Sequence, residues 1–247
     1  MEAVYSAPVG YPAGAYDKRI SAEILLEAVT SAFAAAGMLL GDAALVAETL
    51  VAADLRGVHS HGVLRVPDYV AKLSGGVNPR GAPGIFRDSG SALVIDGGNS
   101  MGQVGGAFAL RTIIERARTT GVAVAAVRGS NHCGAMAWYA LQAVEQGMVG
   151  FATTNALPTM APWGGLDKII GINPLSVAAP AAQEHPLVID TSFSNTSHGK
   201  IRVYEQKGLP IPSHWAYDVQ GHPTTDASAA IEGFLQPIGG FKGVGLA

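Results

Sequence analysis

The chain has 247 residues, of which 48% are hydrophobic and only 14% are charged, and its formal net charge is −3. This composition excludes intrinsic disorder, which needs few apolar residues and high net charge, and argues against a charge-rich coiled coil. The 16 Lys and Arg residues form no basic cluster of the kind that nucleic-acid-binding proteins carry. The length allows one large domain or two small ones, so a sizeable hydrophobic core is expected.

The cysteine count and the N-terminal sequence predict where the protein is found. A single cysteine, Cys133, cannot form an internal disulfide and favours a reducing compartment. Residues 1–19 contain Pro8 and Pro12 and lack the basic and then apolar order of a secretory signal, so they predict an irregular arm. No apolar run approaches the roughly 18 residues of a membrane span. We therefore expect a cytoplasmic protein without a membrane partner.

Three helices are predicted in the first 80 residues. Ser21 can cap a helix over residues 21–38, whose face toward the core includes Ile24. Asp42 can cap a second helix that runs toward residue 56. The third helix is predicted to start near Pro67, a favourable first-turn residue, and to stop at residues 75 and 76, which are both glycine.

The sequence pattern changes after a stretch rich in glycine and proline at residues 76–90, which we interpret as a linker. Strands are then predicted at 93–95, 122–127, 148–153 and 187–189, and helices at 107–120 and 134–147. The run at 122–127 is continuous and β-branched, which is typical of a strand buried on both faces. The alternation predicts an α/β fold, with a helical N-terminal segment at 1–80 and a mixed α/β domain at 81–247.

The usual nucleotide-binding fingerprints are missing from the sequence. The first strand-to-helix turn, residues 96–102, does not have the spacing G-x-G-x-x-G, and the glycine-rich segment around Lys242 is not a P-loop. If the protein uses a nicotinamide cofactor, it does not hold it by the ordinary Rossmann motif.

His59 and His61 form an H-x-H pair that can be interpreted in two ways. On a strand both side chains would face one side and could begin a metal site, with Asp54 and Asp68 as the nearby carboxylates. A metal-dependent hydrolase is therefore kept as an alternative. The other interpretation is that one histidine hydrogen-bonds the adjacent loop.

His61, Arg65 and Tyr69 follow one another at a spacing of four residues and would share one face of a helix. An arginine can bind a carboxylate through two hydrogen bonds, and a histidine can transfer a proton near neutral pH. This face suits a small carboxylic acid substrate. The alternative is a solvated helix face with ordinary capping.

A polar loop at residues 129–134 follows a predicted strand and precedes a helix. Ligands bind at this edge of open α/β sheets, so His132 is a candidate catalytic or cofactor-binding residue. The alternative is a polar turn with a helix cap, and Cys133 is interpreted as a small packing residue. A second polar segment, Asp190 to Ser192, ends a predicted strand and could bind a ribose or an amide, or cap a turn.

Taken in chain order, these segments resemble the type-2 malate/L-lactate dehydrogenase family, which includes ureidoglycolate and sulfolactate dehydrogenases. The resemblance begins with Ser60-His61-Gly62, followed by Arg65 and Tyr69. It continues through the segments Gly75–Pro79, Ser130–Gly134, Ala161–Gly165, Gly171–Pro174, Leu187–Ser192, Gly199–Ile201, Asp218–Asp226 and Gly240–Gly243. Two positions depart from the family pattern: Cys133 stands where an aromatic residue is common, and Ile172 stands where threonine is frequent.

The resemblance implies hydride transfer between NAD or NADP and a small 2-hydroxy or 2-oxo acid, on a fold distinct from the Rossmann fold. It implies that His61 or His132 carries the proton, with Ser60 as a further catalytic residue and no metal. Arg65, Tyr69 and Lys200 would bind the substrate. The residues implied to contact the cofactor are His132, Cys133, Gly134, Met136, Asp190, Thr191, Ser192, Gly240 and Phe241. The family further implies a homodimer.

Relatives continue past the position of Ala247 with a C-terminal part. We therefore expect this chain to be truncated, with a cofactor-binding domain that is incomplete at its C-terminus. This expectation adds a further alternative to the dehydrogenase and the hydrolase, namely a fragment that binds ligands without turning them over.

Overall fold

The computed structural model describes residues 19–247, so nearly all of the predicted irregular arm lies outside the described residues. The described chain divides into two compact units. The N-terminal unit comprises residues 19–152 and Val177–Val188, and the C-terminal unit comprises Thr153–Ser176 and Ile189–Ala247. The boundary predicted near residue 80 falls inside the N-terminal unit, and the division at that point stays a prediction.

The three predicted N-terminal helices are present. They are α1 (Ala22–Ala35), α2 (Leu40–Leu55) and α3 (Val66–Ser74). The hydroxyl of Ser21 accepts a hydrogen bond from the backbone N–H of Ile24 at 3.3 Å, which caps α1 as predicted. The cap predicted for α2 is wrong, because that helix starts two residues before Asp42. Asp42 lies instead in the first turn, where a carboxylate is favoured by the positive end of the helix dipole.

The three helices pack around a shared hydrophobic core. Phe33 of α1, Leu50 of α2 and Tyr69 of α3 are each almost fully buried. The other buried members of this core are Val29, Met38, Ala43, Val46, Ala47, Leu73, Val77, Met101 and Val104. Ile24, expected on the buried face of α1, is instead 58% exposed.

A strand-helix-strand unit follows the helices. Strands β1 (Gly84–Ser89) and β2 (Ala92–Asp96) pair antiparallel, helix α4 (Gly102–Thr120) crosses over, and β3 (Val124–Arg128) pairs parallel with β2. The linker prediction was therefore wrong for residues 84–89, which form an edge strand.

The strand predicted to be buried on both faces is covered on one face only. Val127 of β3 packs with Ile95 and with Ala109 of α4. Val124 is 61% exposed on the opposite face. The prediction of burial on both faces is therefore wrong in the structure described, although the strand itself is confirmed.

The rest of the chain is made of short elements. Helix α5 (Met136–Val144) and strand β4 (Gly150–Thr153) follow, and β4 ends at the first residue of the C-terminal unit. The later strands are β5 (Pro158–Met160), β6 (Ile170–Gly171), β7 (Leu175–Ala179), β8 (Leu187–Thr191), β9 (Ala216–Tyr217) and β10 (Phe234–Leu235). The later helices are α6 (His198–Gln206), α7 (Ala227–Glu232) and α8 (Phe241–Val244).

Two further sheets are formed by these strands. The strand order is β4-β7-β8 in one and β6-β5-β10-β9 in the other. The second sheet and α6 enclose a core that includes Met160, Ile201, Trp215 and Leu235. Within residues 19–247, no helix combines the length and the apolar character that crossing a membrane requires.

The start of α4 packs directly against the polar loop at residues 129–134. The N–H of Gly102 donates to the carbonyl oxygen of His132 at 3.2 Å. A Cβ at position 102 would lie 2.2 Å from the carbonyl oxygen of Asn131 and 2.7 Å from the Cβ of Cys133. Only glycine allows this approach, so the loop depends on the absence of a side chain at position 102.

We expect Gly102→Ala to lower the free energy of unfolding by roughly 1–3 kcal/mol, because the backbone contacted by the new methyl group cannot move aside cheaply. Gly41→Ala in α2 is the matched control, since a Cβ at Gly41 meets nothing within 4 Å. Gly41→Ala should raise the free energy of unfolding by up to about 1 kcal/mol. Urea unfolding followed by tryptophan fluorescence measures both, and a Gly102→Ala variant as stable as the parent would contradict the close-packing argument.

Candidate active site

Asp54, at the end of α2, holds the turn that carries the predicted catalytic residues. One carboxylate oxygen lies 2.6 Å from Nδ1 of His59, and the other accepts the N–H of Val63 at 2.8 Å. A Cβ at Gly62 would lie 2.1 Å from this carboxylate, so glycine is required there as well. One partly buried carboxylate therefore fixes both ends of the segment 59–63.

The contacts of Asp54 bear on the metal hypothesis. His59 and His61 lie in a 3₁₀ turn, not on a strand, and His59 is bound by Asp54 at the surface. Among residues 19–247, no three His, Cys, Asp or Glu side chains come together in a group that could hold a metal ion. Nothing in the described chain supports the hydrolase alternative.

Ser60 connects His61 to Arg65. Its buried hydroxyl lies 2.9 Å from Nδ1 of His61, and its carbonyl oxygen accepts Nε of Arg65 at 2.7 Å. The guanidinium also donates from Nη1 to Asp68 at 3.2 Å, one turn further along. Arg65 is thus anchored on one side by the backbone and paired on the other with an exposed carboxylate.

The loop that carries His132 is fixed by hydrogen bonds to its neighbours. The side-chain amide of Asn131 donates to the carbonyl oxygen of Ser100 at 2.8 Å and to the side-chain oxygen of Asn99 at 3.1 Å. The hydroxyl of Tyr139 donates to the carbonyl oxygen of Cys133 at 2.7 Å. These bonds hold the residues on either side of His132.

His61, Tyr69 and His132 come together, although 63 residues separate Tyr69 from His132. The ring centroids of the two histidines lie 5.7 Å apart, and those of Tyr69 and His132 lie 5.5 Å apart. The Tyr69 hydroxyl is 2.6 Å from Nδ1 of His132, which also accepts the N–H of Gly134 at 3.2 Å. Tyr69 is buried and its hydroxyl contacts His132, while its predicted contact with the substrate stays a prediction.

Both imidazoles are held neutral. Burial, assisted by the charge of Arg65, lowers the pKa of His61 from 6.5 to about 4. Burial also lowers the pKa of His132 to about 3, with further contributions from His61, Arg65 and Lys72. Burial raises the pKa of Tyr69, so this residue stays a phenol. At neutral pH the site therefore holds two neutral imidazoles and one phenol beside a guanidinium.

Gln103 belongs to this site and was missed by the sequence analysis. It is fully buried in the first turn of α4, and its amide nitrogen lies 3.4 Å from the Tyr69 hydroxyl. The helix was predicted to start only at residue 107, which left Gln103 in a loop. The available signal was a single polar residue in the otherwise small or apolar segment 102–105.

The remaining predicted site residues lie mostly in the C-terminal unit. Lys200 of α6 has its ammonium group 4.8 Å from the ring centre of Trp215, and burial lowers its pKa. Asp190 and Thr191 lie within β8 and do not follow it, so the prediction that the strand ends before them is wrong. Ser192 lies 3.1 Å from Ser194, hydroxyl to hydroxyl. The substrate and cofactor roles of these residues stay predictions.

The chemistry of the C-terminal unit fits a planar cofactor. The rings of Trp163 and Phe241 meet edge to face at a centroid distance of 6.1 Å and are 58% and 62% exposed. Gly240, with φ of +63°, precedes Phe241 and lies against Trp163. Exposed aromatic faces beside a backbone that approaches closely can stack on the ring of a dinucleotide. In the N-terminal unit, Cys133 and Gly134 lie beside His132, and Met136 is buried at the start of α5; their cofactor role stays a prediction.

The lowered histidine pKa values predict how stability depends on pH. The unfolded chain binds protons at these histidines below about pH 6.5, whereas the folded site does not until about pH 4 at His61. The free energy of unfolding should therefore be highest above this range and fall as the pH decreases. Each histidine should contribute a loss on the order of 2 kcal/mol between about pH 6.5 and about pH 5.

Urea unfolding at about pH 7.5 and at about pH 5 measures this loss. His61→Gln should reduce the difference between the two pH values, because it removes one of the two groups. His185→Gln, which changes an exposed histidine of the same unit, is the control and should leave the difference unchanged. An equal effect of the two variants would contradict the prediction.

Comparison with known proteins supplies the family. Residues 20–247 match the family model described as "Malate/L-lactate dehydrogenase". A malate dehydrogenase of Pyrococcus abyssi is 43% identical over 83% of this chain and 59% of its own length. A (2R)-3-sulfolactate dehydrogenase (NADP(+)) of Chromohalobacter salexigens is 36% identical over 90% of this chain and 68% of its own. A ureidoglycolate dehydrogenase (NAD(+)) of Escherichia coli O157:H7 is 34% identical over 92% of this chain and 65% of its own length.

Solved structures agree with this assignment. A dehydrogenase from Sinorhizobium meliloti superposes with a TM-score of 0.86 at 36% identity, and the match covers 93% of this chain and 68% of the other. The fold class predicted from sequence, mixed α/β of the dehydrogenase type, is thereby confirmed. The chain spans about 59% of the length of the Pyrococcus relative. The chain belongs to the malate/L-lactate dehydrogenase family.

Proposed function

We propose that this chain is an oxidoreductase that transfers a hydride between a nicotinamide cofactor and C2 of a small 2-hydroxy or 2-oxo acid. The observation that carries the proposal is the pair of neutral histidines, 5.7 Å apart, beside Arg65. This arrangement supplies a proton carrier and an anion-binding group within one site. The dehydrogenase names of the matched relatives support the same reaction class.

Arg65 binds the substrate carboxylate in this proposal. Its bond from Nε to the Ser60 carbonyl oxygen keeps the guanidinium in place, while the Nη1 bond reaches a carboxylate that is itself exposed. A substrate carboxylate can replace Asp68 on this edge and gain paired hydrogen bonds. Holding the acid at one end orients C2, and orientation is a large part of the catalysis of such reactions.

The two histidines take different roles in this proposal. The support for this difference is the group that each Nδ1 atom contacts. Nδ1 of His132 faces the N–H of Gly134, a group that can only donate, so a proton at that atom is disfavoured. Nδ1 of His61 faces the hydroxyl of Ser60, which can either donate or accept. We therefore assign the proton exchanged with the substrate hydroxyl to His61, and a hydrogen bond to the carbonyl oxygen to Nε2 of His132.

When bound, a reduced nicotinamide cofactor would supply the hydride that adds to C2 of the 2-oxo acid, and the oxidised cofactor would accept the hydride that leaves C2 of the 2-hydroxy acid. Trp163 and Phe241 would contact its rings, and the other contacts are those implied by the family resemblance. The relatives are named for both NAD(+) and NADP(+), so the proposal includes either. A homodimer and a cytoplasmic location complete the proposal and rest on the resemblance and on the single cysteine.

The experiment that tests the function is a spectrophotometric screen of malate-, lactate- and sulfolactate-derived 2-oxo acids with NADH and with NADPH. The expected result is oxidation of one reduced cofactor that depends on the acid. His61→Gln should lower kcat by at least about 100-fold, as expected for the loss of a general acid. His185→Gln should keep the parental rate.

One result of the screen would favour the alternative of a fragment that binds ligands without turning them over. Cofactor fluorescence that responds to the protein, without turnover of any acid, would support a chain that binds and does not catalyse. Near-parental turnover by His61→Gln would move the proton-carrier role away from His61. No response to either cofactor would contradict the proposed function.

Arg65→Lys tests the carboxylate role separately. Lysine keeps the positive charge but cannot form two parallel hydrogen bonds with a carboxylate. We expect KM for the 2-oxo acid to rise by roughly tenfold or more, since a charged hydrogen bond contributes about 1.5–3 kcal/mol. Arg118→Lys at the exposed end of α4 is the control, and an unchanged KM in Arg65→Lys would rule out the assigned role.

A further inference from the structure

We infer that Gln103 is a positioning residue that acts through Tyr69 to keep the imidazole of His132 in the tautomer with its proton on Nε2. The catalytic meaning of this inference rests on the proposed function, but the tautomer itself can be measured without any substrate. The inference is built from contacts among three elements of the N-terminal unit: α4, α3 and the loop that carries His132.

Gln103 is a polar residue in a place where packing alone would favour an apolar one. Its side chain is fully buried, and its amide oxygen has no hydrogen-bond partner among residues 19–247. A buried unsatisfied polar atom costs about 1–3 kcal/mol. The amide nitrogen, by contrast, donates to the Tyr69 hydroxyl at 3.4 Å. The side chain therefore uses its donor and leaves its acceptor unused.

The direction of this bond decides where the Tyr69 proton goes. Burial keeps Tyr69 in its protonated form, so the phenol has one proton to donate. Because the Gln103 amide donates to the phenol oxygen, the phenol proton is directed to its other neighbour, Nδ1 of His132, at 2.6 Å. Gln103 thus makes Tyr69 a donor to His132.

A backbone N–H group independently favours the arrangement in which Nδ1 of His132 accepts hydrogen bonds. The N–H of Gly134 also donates to Nδ1 of His132, at 3.2 Å. A Cβ at Gly134, whose φ is +77°, would lie 3.3 Å from the Gln103 amide nitrogen. Gln103 therefore packs against both groups that donate to Nδ1. With Nδ1 accepting two hydrogen bonds, the proton of the neutral ring is on Nε2, from which the ring can donate a hydrogen bond to the substrate carbonyl oxygen.

The test is nitrogen-15 NMR of the full 247-residue chain with labelled histidine, read at neutral pH. His132 is assigned among the seven histidines by its loss in His132→Gln. In the parent protein Nδ1 should show the shift of an unprotonated nitrogen and Nε2 that of a protonated one. Gln103→Met, which keeps the volume and removes the donor, should move both shifts toward a mixture of tautomers. Gln142→Met, at a half-buried position of α5 outside the site, is the matched control.

The action through Tyr69 is tested by a double-mutant cycle. Tyr69→Phe should change the His132 shifts, and Gln103→Met should add nothing in that background. An equal effect of Gln103→Met with and without the Tyr69 hydroxyl would overturn the inference. A protonated Nδ1 in the parent protein would overturn it too, and this measurement needs no variant to fold.

The kinetic consequence is a second readout. A histidine in the wrong tautomer can lower turnover by up to about 10⁴-fold. For Gln103→Met we expect kcat to fall by at least about tenfold with little change in KM, because the carboxylate site at Arg65 is untouched. If the parent chain turns over no acid, the proposed function fails while the NMR result still decides the role of Gln103.

Discussion

The hydroxyl of Tyr69 is the point on which the rest of the site depends. Its ring belongs to the core of the three N-terminal helices, where it lies 6.2 Å from the ring of Phe33, and its oxygen lies 2.6 Å from a catalytic candidate. A buried phenol must satisfy its hydrogen bonds from within the protein. The packing of α1 and α3 thereby determines where His132 finds its partner, and core and site share a single side chain.

Two loops bring the histidines together, and each is held by a different physical device. The turn around His61 is held by hydrogen bonds to the carboxylate of Asp54. The loop around His132 is held by backbone contact with the start of α4, where a side chain at Gly102 would not fit. Neither loop contains a regular element longer than one turn. The precision of the site therefore comes from the rigid helices beside each loop.

Much of the fold could be predicted from the sequence, because its signals are local. The cap at Ser21, the proline that starts α3 and the apolar runs of β2 and β4 all depend on neighbouring residues. Burial could not be predicted in the same way. Val124 lies in a run whose composition is typical of an interior strand, but the exposure of its side chain depends on which elements cover each face of the sheet. Residues 84–89 lack clear alternation and form a strand only because β2 pairs with them. In the site, the spacing of His61, Arg65 and Tyr69 singled out three neighbouring residues, but the predicted helix that would carry all three is wrong, because His61 and Arg65 lie in two 3₁₀ turns before α3. Gln103 becomes relevant only through contacts distant in sequence.

The pair formed by Arg65 and Asp68 has an effect on the neighbouring histidines. Burial is the larger cause of the lowered pKa of both His61 and His132, and the positive charge of Arg65 lowers both pKa values further. Asp68, which is 57% exposed, partly compensates the guanidinium and can return to water at little cost when another anion arrives. In the proposed function, a bound carboxylate would take over the same compensation. The ligand would thus adjust the acidity of the groups that act on it, and Arg65 would serve as an electrostatic link between binding and proton transfer.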